Sequence, residues 1–518
     1  MARSTRRTVL VCGALTALSG CTINPVTGER ELALVSATDE VAIGESQYAP
    51  SRQMQGGDYV RDPALMRYVN EVGQRVAAVS ERALPYEFVV LNSSVPNAWA
   101  LPGGKIAVNR GLLVELGSEA ELAAVLGHEV VHAAARHGAL AMQRGLLLQG
   151  AVLVAAVATR REDYSGLAVG AAGLGAQLIN QRHGRDAELE ADLYGMRYMS
   201  RTGYDPQAAV SLQETFVRLS ESDGRAEQGW LAGLFASHPP SMERVQQNRA
   251  TAAALPPGGD LGRERYAAAT AGLRSAQGAY ASYDRGRTAL AEGNVAEAES
   301  LGREAARLVP DEGHFHALLG DIDFQQDRFA DAVSHYQDAI ANNDRFFYYR
   351  LRKGLAHQRL SQWDEAESNL QASLDLLPTA DAYYGLGVLA ERRGDRAAAL
   401  ERYSQAATSS GAAGQAAQEA VVRLDLPTNP GRYVTVRTGL DASGMLLLEI
   451  ANPTRVPIAD ITLIVRYADP QGALRQVRRV IGEPLAPNGT LRLSTGLGPF
   501  TSQQAYEVAI ESARAVTP

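Results

Sequence analysis

Apolar positions along this chain change rhythm several times, and each rhythm predicts a different element. From 118 to 138 the spacing is helical. Leu122, Val125 and Leu126 form a stripe behind Ser118-Glu119-Ala120-Glu121, a capping box that opens a helix. Gly138 is its expected C-terminal stop. Residues 86–91 and 105–109 are short apolar runs, the second following Pro102-Gly103-Gly104, and both are expected as strands. Two further runs, 145–158 and 166–179, are almost wholly apolar or rich in Gly and Ala. At about 14 residues each they fall short of the ~20 that a membrane span needs, so buried or re-entrant helices are expected. Beyond the Leu255-Pro256-Pro257-Gly258-Gly259 linker signal the pattern becomes periodic. Gly286, Gly320, Gly354 and Gly387 are spaced 34, 34 and 33 residues apart, with Ala298, Ala332, Ala366 and Ala399 following each in phase. Small residues kept in phase predict closely crossing helix pairs. Finally, runs at 445–451, 460–467, 474–481, 490–494 and 505–511, punctuated by Asn-Pro, Asp-Pro and Pro-Asn-Gly turns, predict the strands of a small immunoglobulin-like sandwich.

Chemistry concentrates inside the first helix, where residues 128–132 read His128-Glu129-Val130-Val131-His132. Four helical residues advance about 400°, so the two imidazoles share one face, one turn apart. They can hold one tetrahedral Zn²⁺ per chain, with Glu129 beside it to take a proton from the attacking water. A third ligand is required. The extended motif with a further Gly and His fails, because Ala135 and Gly138 stand at those positions. His137 lies about 140° around the helix from His132 and is expected to be structural. Glu188 and Asp192, four apart in 185–195, are better suited. Glu188 is the expected third ligand, and Asp192 the acceptor that fixes the tautomer of a ligand imidazole.

In combination these residues resemble the HtpX-type zinc metallopeptidases. That family's pattern is H-E-x-x-H followed by E-x-x-x-D, matched here by His128, Glu129, His132, Glu188 and Asp192. Asn97-Ala98-Trp99-Ala100-Leu101-Pro102-Gly103-Gly104 resembles the segment before the family's active-site helix, and Ser237-His238-Pro239 with Arg244 resembles its C-terminal segment. The resemblance covers residues 24–250. It implies an α+β zincin-like metalloprotease domain, with an imidazole at His238 close to the metal, steadying the transition state or capping the resting zinc. Arg244 is then a structural or oxyanion-side partner, and the region 145–180 a cover over the site. A strand just before the active-site helix is where zincins pair an extended substrate. Gly104, Lys105, Ile106, Ala107, Val108 and Asn109 are therefore expected to offer main-chain hydrogen bonds to a peptide. The 34-residue period resembles tetratricopeptide repeats, an all-α solenoid whose groove holds peptides or partner proteins.

The start of the chain bears on its address. Arg3, Arg6 and Arg7 precede a short apolar core at 9–18, and Leu18-Ser19-Gly20-Cys21 reads as a lipobox. Cleavage there would leave a diacylglyceryl-modified Cys21, and Thr22 behind it resembles an outer-membrane destination. Cys12 would be lost with the signal, which excludes disulfide and thiol chemistry from the mature chain. A net charge of −8 argues against nucleic acid as a partner. The expected organisation is a signal peptide at 1–20, a protease domain at 21–255, a linker at 256–276, about four repeats at 277–423 and a β-sandwich at 424–518. With the resemblance, these features imply an expected zinc-dependent endopeptidase of the bacterial cell envelope, lipid-anchored in the periplasm at the outer membrane. Its substrates would be misfolded or stalled envelope proteins, and its repeats would dock a partner such as the outer-membrane β-barrel assembly machinery. The alternative is a chaperone-like assembly factor whose protease site is mostly capped.

Overall fold

The computed structural model describes residues 21–149, 183–222, 238–469, 471–502 and 505–516. The expected signal segment, nearly all of the two apolar runs between 145 and 179, and Ser237 lie outside the described residues. The chain forms two compact units, the first ending at Ala281 and the second beginning at Ser282. No described helix is long and apolar enough to cross a membrane.

The first unit opens with a short hairpin, β1 (Cys21–Ile23) with β2 (Arg30–Leu32), followed by helices α1 (Ala37–Met54) and α2 (Pro63–Ala77). A three-stranded sheet follows: β3 (Glu87–Leu91), β4 (Ala98–Leu101) and β5 (Lys105–Asn109), in the order β3-β5-β4. Strand β5 is therefore central and buried at every position. β3 runs parallel to it from Glu87↔Lys105 to Leu91↔Asn109, and β4 antiparallel from Ala98↔Val108 to Leu101↔Lys105. This corrects the expectation for Gly104, Lys105, Ile106, Ala107, Val108 and Asn109. A strand paired on both edges has no main-chain groups left for a peptide. The edge strands are β3, whose outer side carries a bridge from Asp58 to Leu91, and β4, whose outer side pairs with no strand among the described residues.

After a short helix α3 (Arg110–Glu115) comes α4 (Glu119–Ala134), the helix predicted from the apolar stripe. Ser118 caps it by accepting from the Glu121 amide. Its C-cap is Ala135, three residues earlier than the expected Gly138. Arg136 takes a left-handed conformation at φ 66°, and α5 (His137–Gln149) starts in a new direction. Such a conformation costs a non-glycine residue about 1 kcal/mol. Here the Arg136 guanidinium is buried against Glu40 and bonds the Val35 carbonyl, which holds the bend in place.

Helix α6 (Arg185–Arg201) packs across α4 at a glycine contact. A Cβ built on Gly195 would lie 3.1 Å from the His128 amide nitrogen and 3.2 Å from the Gly127 carbonyl carbon. A side chain there would have to push the two backbones apart. Helices α7 (Gln207–Ser222) and α8 (Met242–Ala254) pack against each other and against α4 and α6. The stretch expected to be a linker is one only at its start, where Gly258 and Gly259 turn the chain. Residues beyond them form α9 (Arg263–Ser275), which docks on this unit through buried Tyr266, Thr270 and Leu273. The Tyr266 hydroxyl donates to the Leu113 carbonyl, and Arg265 reaches the buried Glu119 carboxylate.

In the second unit the periodic glycines do what their phase implied. Gly320 lies under the Tyr336 ring, Gly387 under the Tyr403 ring and Gly354 under Leu370. Ala298, Ala332, Ala366 and Ala399 are fully buried at the crossings. The helix pairs are followed by two three-stranded antiparallel sheets sharing one core. One has β7 (Leu446–Ala451) between β6 (Thr435–Leu440) and β10 (Thr490–Ser494). The other has β8 (Ile458–Ala468) between β9 (Leu474–Val480) and β11 (Tyr506–Ala515). Leu446, Leu448 and Ile450 from one face Ile461, Leu463 and Val465 from the other in that core.

Candidate metal centre

Helices α4 and α6 bring together the residues that the two spaced motifs singled out. One ligand atom from each of His128, His132, Glu188 and His238 lies within 4.8 Å of the others, and all four residues are buried. The Nε2 atoms of His128 and His132 are 2.9 Å apart, and His238 Nδ1 is 3.3 Å from His128 Nε2. Glu188 Oε1 is 3.0 Å from His238 Nδ1 and 3.4 Å from His132 Nε2, while its Oε2 is 3.5 Å from His128 Nε2. That second carboxylate oxygen is buried, with the Arg244 guanidinium as its charge partner. Ring nitrogens this close to one another and to a carboxylate are a donor set that a divalent cation fits.

Behind the ligand atoms, each imidazole of α4 is held by its other nitrogen. His128 Nδ1 donates to Asp192 Oδ1 at 3.0 Å, which aims Nε2 into the cluster as the nitrogen a metal would take. Asp192 is itself gripped by Arg244, from Nε to Oδ2 and from Nη2 to Oδ1, both at 2.7 Å. Arg244 Nη1 lies 3.0 Å from Glu188 Oε2. A buried guanidinium committed to two carboxylates in this way orients them. It is not free to face an oxyanion, which narrows its expected role to the structural one.

Two histidines were not foreseen in this role. His137 Nδ1 lies 2.8 Å from His132 Nδ1, and its Nε2 is 3.5 Å from Glu190 Oε1. The 140° offset assumed one unbroken helix, but the bend at Arg136 swings His137 back behind His132. The sequence signal for that bend is weak, since nothing about an arginine announces a left-handed residue. His183, part of no motif, stacks on His132 with ring centroids 4.0 Å apart. Five of the nine histidines in the chain thus converge on one spot.

Burial disfavours charge on His128, but the adjoining Asp192 and Glu188 carboxylates outweigh it and raise its pKa to about 10. His132 goes the other way, pushed well below the usual range by burial and by the neighbouring His183. Burial and His238 likewise lower His183 to about 3. Burial also works against the charged forms of Glu188 and Asp192. It is overcome by His238 and His128 at the first and by Arg244 at the second, so both carboxylates sit low. Glu129 is pushed upward, chiefly by burial. Its Oε1 lies 3.5 Å from His238 Nε2, so the His238 ring stands between Glu129 and Glu188. A cavity of about 50 Å³ adjoins the cluster, bounded by Ala98, Val125, Glu129, Leu212, Phe216 and His238 among others.

Comparison with known proteins bears on the whole arrangement. Residues 63–252 match the family profile described as peptidase family M48, and residues 283–346 and 351–417 match a tetratricopeptide-repeat profile. A β-barrel assembly-enhancing protease of Yersinia pestis is 26% identical over 404 residues, covering 70% of this chain and 81% of that protein. The mitochondrial metalloendopeptidase OMA1 of Schizosaccharomyces pombe is 35% identical over 185 residues, covering 35% of this chain and 51% of that protein. Metalloprotease YcaL of Escherichia coli (strain K12) is 30% identical over 224 residues, covering 42% of this chain and 81% of that protein. Among solved structures, the first tetratricopeptide domain of Spaghetti (RPAP3), bound to an HSP90 peptide, aligns with a TM-score of 0.23 at 22% identity, over 23% of this chain and 95% of that one. The profile match spans every residue of the cluster from His128 to Arg244, and a chain that also covers four-fifths of a 30%-identical metalloprotease belongs to peptidase family M48 and is a metalloprotease.

Proposed function

We propose that the chain is a zinc-dependent endopeptidase of the bacterial cell envelope that cuts misfolded or stalled envelope proteins, with its repeats docking substrate or partner. The observation that carries this reading is the buried His128–His132–Glu188–His238 donor set with Glu129 beside it. Three imidazoles and a carboxylate suit zinc better than the all-oxygen cages of magnesium or calcium. When bound, zinc supplies Lewis acidity toward a peptide carbonyl and acidifies water. Residues of the chain do the rest. Asp192 and His137 hold the imidazoles of His128 and His132 in the ligating tautomer. Arg244 keeps Asp192 ionised and stands beside the Glu188 carboxylate. Glu129, its proton affinity raised by burial, takes a proton from the attacking water and hands it to the leaving amine. The edge of β4, whose Ala98 borders the cavity, takes the extended substrate by strand addition. Such main-chain pairing selects unfolded segments over particular sequences. Acylated Cys21 anchors the chain at the outer membrane, and the name of the Yersinia relative supports β-barrel proteins or their assembly machinery as the clients.

A second reading has support from one position. His238 stands where water and a substrate carbonyl must enter, so it caps the resting site and leaves the chain acting mainly as an assembly factor until the ring swings away. Casein cleavage by the full chain in detergent, beside Glu129→Gln and His238→Ala, tests both. Cleavage lost in Glu129→Gln with zinc still bound supports the protease. Undiminished cleavage by that variant sinks the mechanism. A rise in His238→Ala identifies the cap, and a fall assigns that imidazole to the reaction.

A further inference from the structure

The four remaining histidines lie in the repeats, and two are already engaged. His314 is bonded to the Tyr349 hydroxyl, and His357 Nδ1 to Gln362 Oε1 at 2.6 Å. His316 and His335 lie close to one another. They sit on the two helices of one repeat, α12 (Gly313–Gln325) and α13 (Phe329–Asn342), numbered with α10 (Gln277–Ala291) and α11 (Val295–Leu308) before them. One ligand atom from each of His316, His335 and Asp338 lies within 4.8 Å of the others.

We propose that His316, His335 and Asp338 form a second divalent-cation site, of the zinc class, joining the two helices of this repeat. The outer contacts of both imidazoles are those that metal-ligating histidines make. His316 Nε2 donates to the Pro310 carbonyl at 2.8 Å. His335 Nε2 faces Asp323 Oδ2 at 3.4 Å, and Asp323 is steadied by Arg328 Nε at 2.9 Å. With the proton on Nε2, Nδ1 of each ring keeps its lone pair. His335 Nδ1 is buried and has no hydrogen-bond partner, a nitrogen left waiting for a Lewis acid. Asp338 follows His335 by three residues and so shares its face of α13, adding an exposed carboxylate to the two nitrogens. Two imidazoles and one carboxylate select zinc-like ions over magnesium or calcium, and three protein ligands leave room for water or for a side chain of a docked partner.

The site is independent of the protease cluster, so its test must read the two separately. Metal-free full chain in detergent is titrated with zinc sulfate against a chromophoric chelator. Wild type, His335→Ala, His316→Ala and His128→Ala are compared, with circular dichroism to confirm folding of each. The expected result is two equivalents for wild type and the loss of one in each variant. Added zinc should also raise the Tm of His128→Ala but not that of His128→Ala/His335→Ala. Equal stoichiometry in wild type, His335→Ala and His316→Ala overturns the second site. Equal stoichiometry in wild type and His128→Ala instead counts against the protease cluster and leaves this one standing.

Discussion

Replacing Arg244 with Met asks how much of the metal centre rests on one buried cation. The guanidinium makes two charge-assisted hydrogen bonds to Asp192 at 2.7 Å and stands 3.0 Å from Glu188. All three residues are buried. Such bonds contribute about 1.5–3 kcal/mol apiece, and removing one partner of a buried pair costs about 3–5 kcal/mol because the other charge is left behind. Met keeps most of the volume, so cavity formation adds little. Metal-free Arg244→Met should therefore lose about 3–5 kcal/mol in the first unit. Bound zinc restores positive charge beside Glu188, so the loss should shrink when the metal is present. Arg244→Met/Asp192→Asn removes one of the stranded carboxylates and should be less damaged than the single variant. Hydrogen exchange of α4 and α6 amides in native buffer, with and without zinc, reports this unit without interference from the repeats. A change below about 1 kcal/mol, or a double variant no better than the single, would refute the reasoning.

Two further outcomes follow from other contacts. His137→Ala removes the partner behind His132 and should weaken zinc binding by about 10–100-fold in a chelator competition; unchanged affinity would mean that His132 needs no support. Glu119, whose carboxylate accepts from Tyr68 and Tyr204 at 2.7 Å and from Arg265 at 3.0 Å, resists the upward push of burial, and its pKa is held below the usual range by Arg265 and the two hydroxyls. A carboxyl depressed on folding contributes stability that is complete above its unfolded pKa of about 4.3 and fades as pH falls through the folded value. Glu119→Gln should cost about 1–2 kcal/mol at pH 7, discounting the half-exposed arginines. The gap in Tm from wild type should close in acid, and a gap that does not change with pH would count against the assignment.

Much of the site was legible because its information is local. H-E-x-x-H and E-x-x-x-D each put two groups on one helical face, and spacing within a helix survives whatever the tertiary structure does. What escaped depends on contacts between elements. The sequence marks 105–109 as a strand but carries no signal that both its edges are paired. The four residues Ala98–Leu101 that take the outer edge are too short and too close to a turn to stand out. His137 was misplaced by a bend whose cause, the Glu40 carboxylate, lies nearly a hundred residues upstream. Helix α9 hid inside an apparent linker because its docking face is only Tyr266, Thr270 and Leu273. Strand β6, with Val436 and Leu440 as its larger apolar residues, has too little alternation to be read alone. The repeats gave no such trouble, since phase kept over four units outweighs any single position.

The glycine crossing of α4 and α6 carries one last consequence. Gly127 and Gly195 set the helices backbone to backbone, and that contact owes nothing to an ion. A socket set by such a contact is expected to assemble without the cation, unlike a zinc finger, where the metal supplies the folding energy. Stripping the ion should therefore silence the enzyme without melting it, and returning it should restore activity with no refolding step. Metal supply would then act as a reversible throttle on proteolysis, separate from the question of whether the chain is folded at all.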